Sequence, residues 1–265
     1  MTRVPVMLTI AGSDPSGGAG IQADLKTATV LGVYGASVIT ALTAQNTCGV
    51  TGILSVSPAF IAEQYEAVVS DLNVRAIKIG MLGTAEVVHT IAELLSRRPM
   101  PVVVLDPVMV AASGDRLVPL EAVAAIREAL LPLCTIVTPN LAEAQELTGL
   151  AVGTETDMET AGRALVADGA QSALVKGGHL AGPRSADVLV GPDGTQWFDA
   201  PRIETANTHG TGCTLSSAVA AQLVLGYSVP DAVYEAKSFL SRALESGKGL
   251  TFGTGHGPVD HLVNR

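Results

Sequence analysis

Short apolar runs alternate with longer stretches of helical periodicity along almost the whole chain, and this alternation restricts the fold more than any other feature. Several runs are apolar on both faces, which is typical of parallel strands covered by helices on both sides. The pattern predicts one α/β domain over residues 1–265, a three-layer α/β/α sandwich with a mostly parallel central sheet. The candidate strands are Val6–Ile10, Ala36–Leu42, Ala76–Ile79, Val102–Leu105, Thr135–Val137, Ser172–Val175, Asp187–Val190 and Gln196–Asp199.

Helical periodicity fills most of the spaces between these strands. Thr156 and Glu159 have the spacing of a capping box, which predicts that a helix begins there. Two closing helices are predicted over Thr211–Leu225 and Pro230–Ser246. Two apolar stripes at helical spacing predict two further helices. The stripes consist of Val87, Val88, Ile91, Leu94 and Leu95, and of Val123, Ile126 and Leu130.

Charge and composition exclude several classes of function. The 25 acidic and 16 basic residues give a net charge of −9, and Lys and Arg form no cluster, so a nucleic-acid partner is not expected. The three cysteines are few and far apart, which argues against a disulfide framework and fits a reducing compartment. The apolar start of the chain is read as a first strand, not a signal peptide. Uninterrupted apolar stretches fall short of the about 18 residues of a membrane span, so we expect a cytoplasmic protein.

Nearly every predicted strand ends in a polar or Gly-rich step. In open α/β sheets, ligands bind in the crevice outside the carboxyl ends of the strands. A single polar strand end is equally well explained by the chain reaching solvent, but six in series favour the rim of an active site. The six endings carry Asp14, Gln45, Met81, Asp106, Asn140 and Lys176.

A Gly-rich loop, Gly12–Gly20, follows the first strand and precedes a helix. It is not a P-loop, because no Gly-Lys-Ser/Thr follows at the required spacing. Gly18–Ala23 fits a dinucleotide fingerprint loosely, but the acidic residue expected about 20 positions later is missing. The loop permits close approach of the backbone to a ligand. Asp24, in the helix behind it, is either a ligand contact or a solvated helix charge.

The segment Asn207–Cys213 is the most informative one. Gly210 and Gly212 allow a tight turn, and an apolar helix follows at once. Such a turn directs unpaired backbone N–H groups to one place at the positive end of the helix dipole, which predicts an anion hole. A helix start also favours the thiolate form of Cys213. The alternative is a helix opening that carries a small buried cysteine. His209 is assigned no role.

Two charged groups have open alternatives. Lys237 lies on the apolar stripe of the last helix, so it points inward, either as a snorkelling lysine or as a cation aimed at phosphates like Lys176. Asn140 and Glu143 are three residues apart at a predicted helix start. Glu143 is either a first-turn dipole residue or, with Asp106, a holder of hydrated Mg²⁺, which typically takes one or two carboxylates plus phosphates.

Taken together, these segments resemble the hydroxymethylpyrimidine/phosphomethylpyrimidine kinases of thiamine biosynthesis, in the ribokinase-like superfamily. The resemblance implies a ribokinase-like fold and ATP-dependent phosphorylation of hydroxymethylpyrimidine, then of its monophosphate to the diphosphate. The closest rival is a pyridoxine/pyridoxal kinase of the same superfamily. The resemblance rests on Ile10–Lys26, Thr40–Thr47, Lys78–Leu82, Asp106–Met109, Thr138–Glu143, Lys176–His179, Asn207–Cys213 and Gly255–Pro258.

The resemblance also implies roles for single residues. Gln45 binds the pyrimidine, because its amide donates and accepts at once. Cys213 is the base for the substrate hydroxyl. The remaining assignments are Met81, Val108 and Asp24 at the substrate, Gly210, Thr211 and Gly212 in the anion hole, Lys176, Lys237 and Asn140 at ATP, and Asp106 and Glu143 at Mg²⁺ through water.

Two further expectations follow, and two rival classes stay open. The resemblance implies a homodimer, and the sequence departs from many relatives at Ala112, which leaves the contacts of the lid open. A hydrolase or acyltransferase built on Cys213 would need a His base oriented by a third group. A non-catalytic pyrimidine-binding protein would leave the two lysines and the anion hole unexplained.

Overall fold

The computed structural model describes residues 4–109 and 118–263. In this part of the chain the strands form one nine-stranded sheet, in the order β3-β2-β1-β4-β5-β6-β7-β8-β9. The six central strands β2, β1, β4, β5, β6 and β7 pair in parallel. At the edges, β3 pairs antiparallel with β2, β8 with β7, and β9 with β8. The strands are β1 (Val6–Ser13), β2 (Tyr34–Asn46), β3 (Gly49–Ser55), β4 (Val74–Ile79), β5 (Val103–Leu105), β6 (Ile136–Val137), β7 (Ala173–Lys176), β8 (Arg184–Gly191) and β9 (Gly194–Pro201).

Helices cover both faces of this sheet. In β1, Val6 and Leu8 face one core while Met7, between them, faces the other, as the two-residue period of a strand requires. Helices α1, α7 and α8 cover the second face, and α2 to α6 the first. The predicted three-layer α/β/α sandwich with a mostly parallel sheet is confirmed. The helices are α1 (Gly20–Val30), α2 (Pro58–Asp71), α3 (Ala85–Arg97), α4 (Leu120–Ala125), α5 (Leu141–Thr148), α6 (Glu155–Ala167), α7 (Thr211–Val224) and α8 (Val229–Gly247).

The structure corrects three local predictions. Strand β2 runs on to Asn46 and pairs with β3. Neither this extension nor β3 was predicted, because the second half of β2 is partly exposed and contains polar residues. Helix α2 was not predicted either. The capping box is formed by Thr154 and Asp157, not by Thr156 and Glu159: Thr154 Oγ1 accepts from the Asp157 N–H at 3.2 Å, and Asp157 Oδ2 accepts from the Thr154 N–H at 2.9 Å.

The second predicted stripe is buried as expected but is not one regular helix. Val123 lies in α4, whereas Ile126 and Leu130 lie in a π-helical turn that passes into a short 3₁₀ turn. Within the described ranges, no helix is long and apolar enough to cross a membrane. The predicted lid residue Ala112 lies outside the described residues.

Candidate active site

A lysine between two carboxylates occupies the carboxyl edge of the central strands. Lys176 ends β7, Asp106 follows β5, and Glu143 lies in the first turn of α5. Lys176 Nζ lies 2.8 Å from Asp106 Oδ1 and 4.0 Å from Glu143 Oε2. The Asp106 side chain is 1% exposed and that of Lys176 13%, so the lysine is the member of the cluster that reaches the surface.

Burial and neighbouring charges set the protonation of this cluster. Burial raises the pKa of Glu143, Lys176 lowers it, and Asp106 raises it. The N–H groups of Asn140 and Met109 also lower this pKa, which comes to about 7. Burial also pushes the pKa of Asp106 upward, but Lys176 and Lys78 outweigh it, so this pKa lies below its ordinary value. Asp106 is therefore the permanent anion, and Glu143 exchanges a proton near neutral pH.

Asn140 is occupied as a helix cap. Its Oδ1 accepts from the Glu143 N–H at 3.0 Å, and Glu143 Oε2 accepts from the Asn140 N–H at 2.7 Å, which closes a capping box at the start of α5. Glu143 therefore lies in the first turn of α5, while its Mg²⁺ role and the ATP role of Asn140 stay predictions. A parallel bridge between Asn140 and Lys176 ties the cap to the end of β7.

The predicted anion hole lies directly against this cluster. Gly210 caps α7 in the left-handed region, with φ of 76°, and the first N–H groups of a helix have no partner within it, although the N–H of Thr211 donates to the Thr208 carbonyl at 3.3 Å. A Cβ atom on Gly212 would lie 3.3 Å from Lys176 Nζ and 3.5 Å from Asp106 Oδ2. Ser216 Oγ, one turn further, donates to Asp106 Oδ2 at 3.2 Å. The fold therefore brings a helix N-terminus and a cation together, an arrangement that binds anions.

The Gly-rich loop after β1 is organised by its own carboxylate. Asp14 Oδ1 accepts from the Ser16 N–H at 2.8 Å, and Oδ2 accepts from the N–H groups of Gly18 at 3.1 Å and Ala19 at 2.8 Å. Successive N–H groups converging on an anion make a nest of the kind that elsewhere holds phosphate. Here Asp14 fills the nest, so these three N–H groups do not hold a ligand.

His209, which was assigned no role in the sequence analysis, binds the same carboxylate. Its Nε2 lies 2.8 Å from Asp14 Oδ2, and both residues are buried. Burial raises the pKa of Asp14, but the hydrogen bonds of His209, Ser16 and Ala19 outweigh it and bring the pKa to about 2. The pattern of an Asp at a strand end before a Ser-Gly-Gly loop was the available signal for this role of Asp14. For His209 there was none, because the contact spans 195 positions.

Cys213 lies at the start of α7 as predicted, but its thiolate is not favoured. Burial of the sulfur raises the pKa to about 11. Lys78 lowers this pKa, Asp24 and Asp106 raise it, and the backbone N–H of Gly20 lowers it. The expectation of a stabilised thiolate is wrong for this structure, because burial outweighs the helix start.

Asp24 is neither a solvated charge nor exposed to a ligand. It is fully buried and pairs with the equally buried Lys78, whose Nζ lies 2.9 Å from Oδ1. Ser217 Oγ donates to Oδ1 at 2.6 Å and Thr9 Oγ1 to Oδ2 at 2.6 Å. Both carboxylate oxygens are thus engaged inside the core, which corrects the expected polar contact with the substrate.

Lys237 points inward as predicted, but the snorkelling interpretation is wrong. Its Nζ lies 2.5 Å from Asp187 Oδ2, and both side chains are at least nine-tenths buried. Asp187 Oδ1 accepts from the Gly177 N–H at 2.9 Å, immediately after Lys176. Lys237 is therefore linked through Asp187 to Gly177, the residue after Lys176. The contact of Lys237 with ATP stays a prediction.

The residues assigned to the substrate lie along the neighbouring strands. Gln45 is half-buried on β2, where its Oε1 accepts from Thr43 Oγ1 at 3.1 Å. Met81 packs so closely that a Cβ on Gly12 would lie 2.7 Å from its Cε, and Val108 is half-buried against the core. Beside Gln45, an open cleft of about 450 Å³ is lined by Ser16, Asn46, Thr47, Cys48, Phe252, Gly253, Thr254 and Pro258.

The fold and this site define an α/β protein with a candidate anion site at the carboxyl edge of its sheet. Residues 14–260 match the family model described as phosphomethylpyrimidine kinase. A hydroxymethylpyrimidine/phosphomethylpyrimidine kinase of Rhizobium meliloti (strain 1021) is 52% identical over 258 residues, which cover 97% of each chain. The chain therefore belongs to the phosphomethylpyrimidine kinase family, and the resemblance is confirmed.

Solved structures agree with this membership. A phosphomethylpyrimidine kinase of Clostridium difficile 630 superposes with a TM-score of 0.81 at 42% identity, covering 91% of this chain and all of the other. The pyridoxal kinase of Staphylococcus aureus in complex with AMP-PCP and pyridoxal gives a TM-score of 0.91 at 33% identity, covering 100% of this chain and 96% of the other. Membership of a kinase family favours a kinase over the two rival classes.

Proposed function

We propose that this protein transfers the γ-phosphoryl group of ATP to 4-amino-5-hydroxymethyl-2-methylpyrimidine, and then phosphorylates the monophosphate to the diphosphate, in thiamine biosynthesis. The observation that carries the proposal is the contact between the Gly210–Cys213 turn and the pair of Lys176 and Asp106. A cation and backbone N–H groups at one place suit a transferring phosphoryl group. The names of the relatives give the substrate.

In the first step the substrate hydroxyl oxygen attacks the γ-phosphorus. A new O–P bond forms, the bond from the γ-phosphorus to the bridging oxygen breaks, and ADP leaves. The hydroxyl proton passes to the ionised sulfur of Cys213. The N–H groups of Gly210, Thr211 and Gly212, together with Lys176, stabilise the charge on the transferring group, which is the main contribution a protein makes to this chemistry.

The second step has a different proton requirement. Its nucleophile is a phosphate oxygen that is already ionised at neutral pH, so it needs no base. Cys213 is a thiol at rest, because its pKa of about 11 lies well above neutrality. The first step therefore draws on a small ionised fraction, and the second does not.

The donor set beside Lys176 fits Mg²⁺ held through water. Asp106 already accepts from Lys176 and Ser216, and Glu143 accepts from the N–H of Asn140, so part of the acceptor capacity of both carboxylates is in use. Within the described ranges no three acidic, His or Cys side chains form a metal cluster. A hydrated ion that takes its other ligands from phosphates needs only one or two carboxylates. When bound, it neutralises charge on the phosphates of ATP.

Gln45 is assigned to the ring of the substrate, with Met81 and Val108 as apolar walls.

We further propose a homodimer in the cytoplasm. Leu54, 67% exposed, and Ile53, 49% exposed, lie on the edge strand β3. An exposed apolar edge strand is usually protected by pairing or cover, and a second copy of the chain would supply it. Sedimentation velocity tests this, since Leu54→Lys should shift the protein to monomer.

A phosphorylation assay tests the function. Purified protein with ATP and Mg²⁺ is offered hydroxymethylpyrimidine, its monophosphate and pyridoxal, and the products are separated. We expect turnover on both pyrimidines. Lys176→Met should lose it, and Lys248→Met, which removes an exposed lysine just after α8, should keep it. Faster turnover on pyridoxal would favour the second candidate, a pyridoxal kinase, suggested by the neighbour solved with pyridoxal.

A further inference from the structure

His209 and Asp14 form a buried pair that joins two glycine-rich segments far apart in the sequence. The exposed fractions are 5% for His209 and 2% for Asp14, and the joining distance is 2.8 Å. On its backbone side, the His209 N–H donates to the Gly257 carbonyl at 3.0 Å. His209 thus lies where the loop after β1, the turn before α7 and the C-terminal segment meet.

The loop after β1 leads from this pair to the sulfur of Cys213. Asp14 accepts hydrogen bonds from the N–H groups of Gly18 and Ala19, the two residues before Gly20. Gly20 begins α1, and the carbonyl of Gly18 lies against Gly210, three residues before Cys213 at the start of α7. A rigid series of contacts therefore runs from the His209 ring through the Asp14 carboxylate and the loop to the proposed base.

The clearances in this series are too small for independent movement. A Cβ atom on Gly18 would lie 2.4 Å from His209 Cδ2, and one on Gly210 would lie 1.8 Å from the Gly18 carbonyl oxygen. Both values are far below ordinary van der Waals contact. The loop and the turn before α7 are therefore locked together, and a displacement of His209 must be passed to the anion hole or to Gly20.

We propose that His209 and Asp14 are positioning residues, which hold the loop after β1 against the turn before α7 and so keep the Cys213 sulfur in line with the anion hole. This inference rests on the proposed role of Cys213 as the base. It follows that the pair matters for phosphorylation of the alcohol, where the sulfur must reach a proton. It matters much less for phosphorylation of the monophosphate.

Three substitutions of His209 separate positioning from packing. His209→Gln places an amide nitrogen near the position of Nε2, so it still donates to Asp14. His209→Asn is one bond too short for that contact, and His209→Ala removes it. The matched control is His261→Ala: His261 is buried to the same degree and bonds Thr214 in the first turn of α7 at 3.0 Å, but it does not belong to the series.

The first measurement is a pair of single-turnover rates, alcohol against monophosphate, with melting temperatures. For His209→Asn and His209→Ala we expect the alcohol rate to fall about 10- to 100-fold, the size of effect that a misplaced group produces, with less than about threefold on the monophosphate. His209→Gln should stay within about threefold of the parent on both. His261→Ala should lower the melting temperature without changing the ratio of the two rates.

The second measurement follows alkylation of Cys213 by iodoacetamide in a Cys48→Ser background, read by mass spectrometry. His209→Asn should change the rate at which Cys213 is alkylated, and His209→Gln should keep the rate of the parent. Equal losses on both substrates, or the same change of ratio in His261→Ala, would overturn the inference. If Cys213→Ala changes the ratio and His209→Asn does not, the inference alone is wrong. If Cys213→Ala leaves the ratio unchanged, the base assignment is wrong and the inference falls with it.

Discussion

The surroundings of Cys213 shift the pKa of its thiol in opposite directions. The Gly20 N–H and Lys78 favour the thiolate, whereas burial together with Asp24 and Asp106 favours the thiol. Its position at a helix start could be predicted from the glycines before it. Its protonation could not, because the groups that decide it come from α1, β4 and the end of β5, which are far away in the sequence.

The pH dependence of the first step tests this balance. The base form of Cys213 is the deprotonated one, and its pKa is raised to about 11, so the active fraction grows with pH throughout the range below that value. Between pH 8 and 10, above the pKa of about 7 of Glu143, the single-turnover rate on the alcohol should rise by about tenfold per pH unit, and the rate on the monophosphate should stay nearly flat. Cys213→Ala should remove the slope and cost about 10²–10⁴-fold on the alcohol alone. The same slope on both substrates would contradict the assignment.

Lys237 presents a similar choice between two roles. Its replacement by Met leaves Asp187 buried without its cation, and breaking a buried pair typically costs about 3–5 kcal/mol. Lys237→Met should therefore lower stability in any case. The double variant Lys237→Met with Asp187→Asn relieves the stranded charge. If Lys237 binds ATP phosphates, the double variant should regain stability and keep a raised KM for ATP. Full recovery of the KM would assign Lys237 to structure alone.

At the scale of elements, the start of α7 depends on a glycine that no other residue replaces. Gly210 has φ of 76°, and a Cβ there would lie 1.8 Å from the Gly18 carbonyl oxygen. Gly226, just after the same helix, has φ of 97° but free space around it. Gly226→Ala should cost only the left-handed backbone penalty of about 1–2 kcal/mol and keep activity. Gly210→Ala should cost more and abolish both phosphorylations. Urea unfolding and turnover measure the two, and equal losses of stability would contradict the clash.

Elements were predicted well where apolar periodicity is continuous and poorly where it is not. The parallel strands are apolar on both faces, so their sequences are recognised as strands. Strand β3 is short and mostly exposed, so its sequence resembles that of a loop. The helix after Gly153 was placed two residues late, because Thr154 and Thr156 both precede an acid at the capping-box spacing. Local spacing leaves such alternatives open, and the packing of the helix decides between them.

On the scale of the whole molecule, the alternation of strands and helices was enough to predict the three layers and the edge at which the site lies. We propose that the chain is one domain, since the described strands form one continuous sheet. The buried pair of Lys78 and Asp24 was beyond prediction. Lys78 lies on β4, Asp24 on α1, and their hydrogen-bond partners on β1 and α7, so the contact exists only once both cores have formed.

This buried pair makes the last prediction. Burial lowers the pKa of Lys78, but Asp24 outweighs it and raises that pKa above its ordinary value, so Lys78 stays charged inside the protein. Lys78→Met leaves the Asp24 carboxylate with hydroxyl donors alone and should cost about 3–5 kcal/mol of unfolding free energy. The double variant Lys78→Met with Asp24→Asn should lose clearly less, because no charge is stranded. Urea unfolding of the two single variants and the double variant gives the coupling energy. The exposed pair of Arg127 and Asp168 is the control, since Arg127→Met should cost less than about 1 kcal/mol. Purely additive losses for Lys78 and Asp24 would mean that the two charges do not stabilise each other.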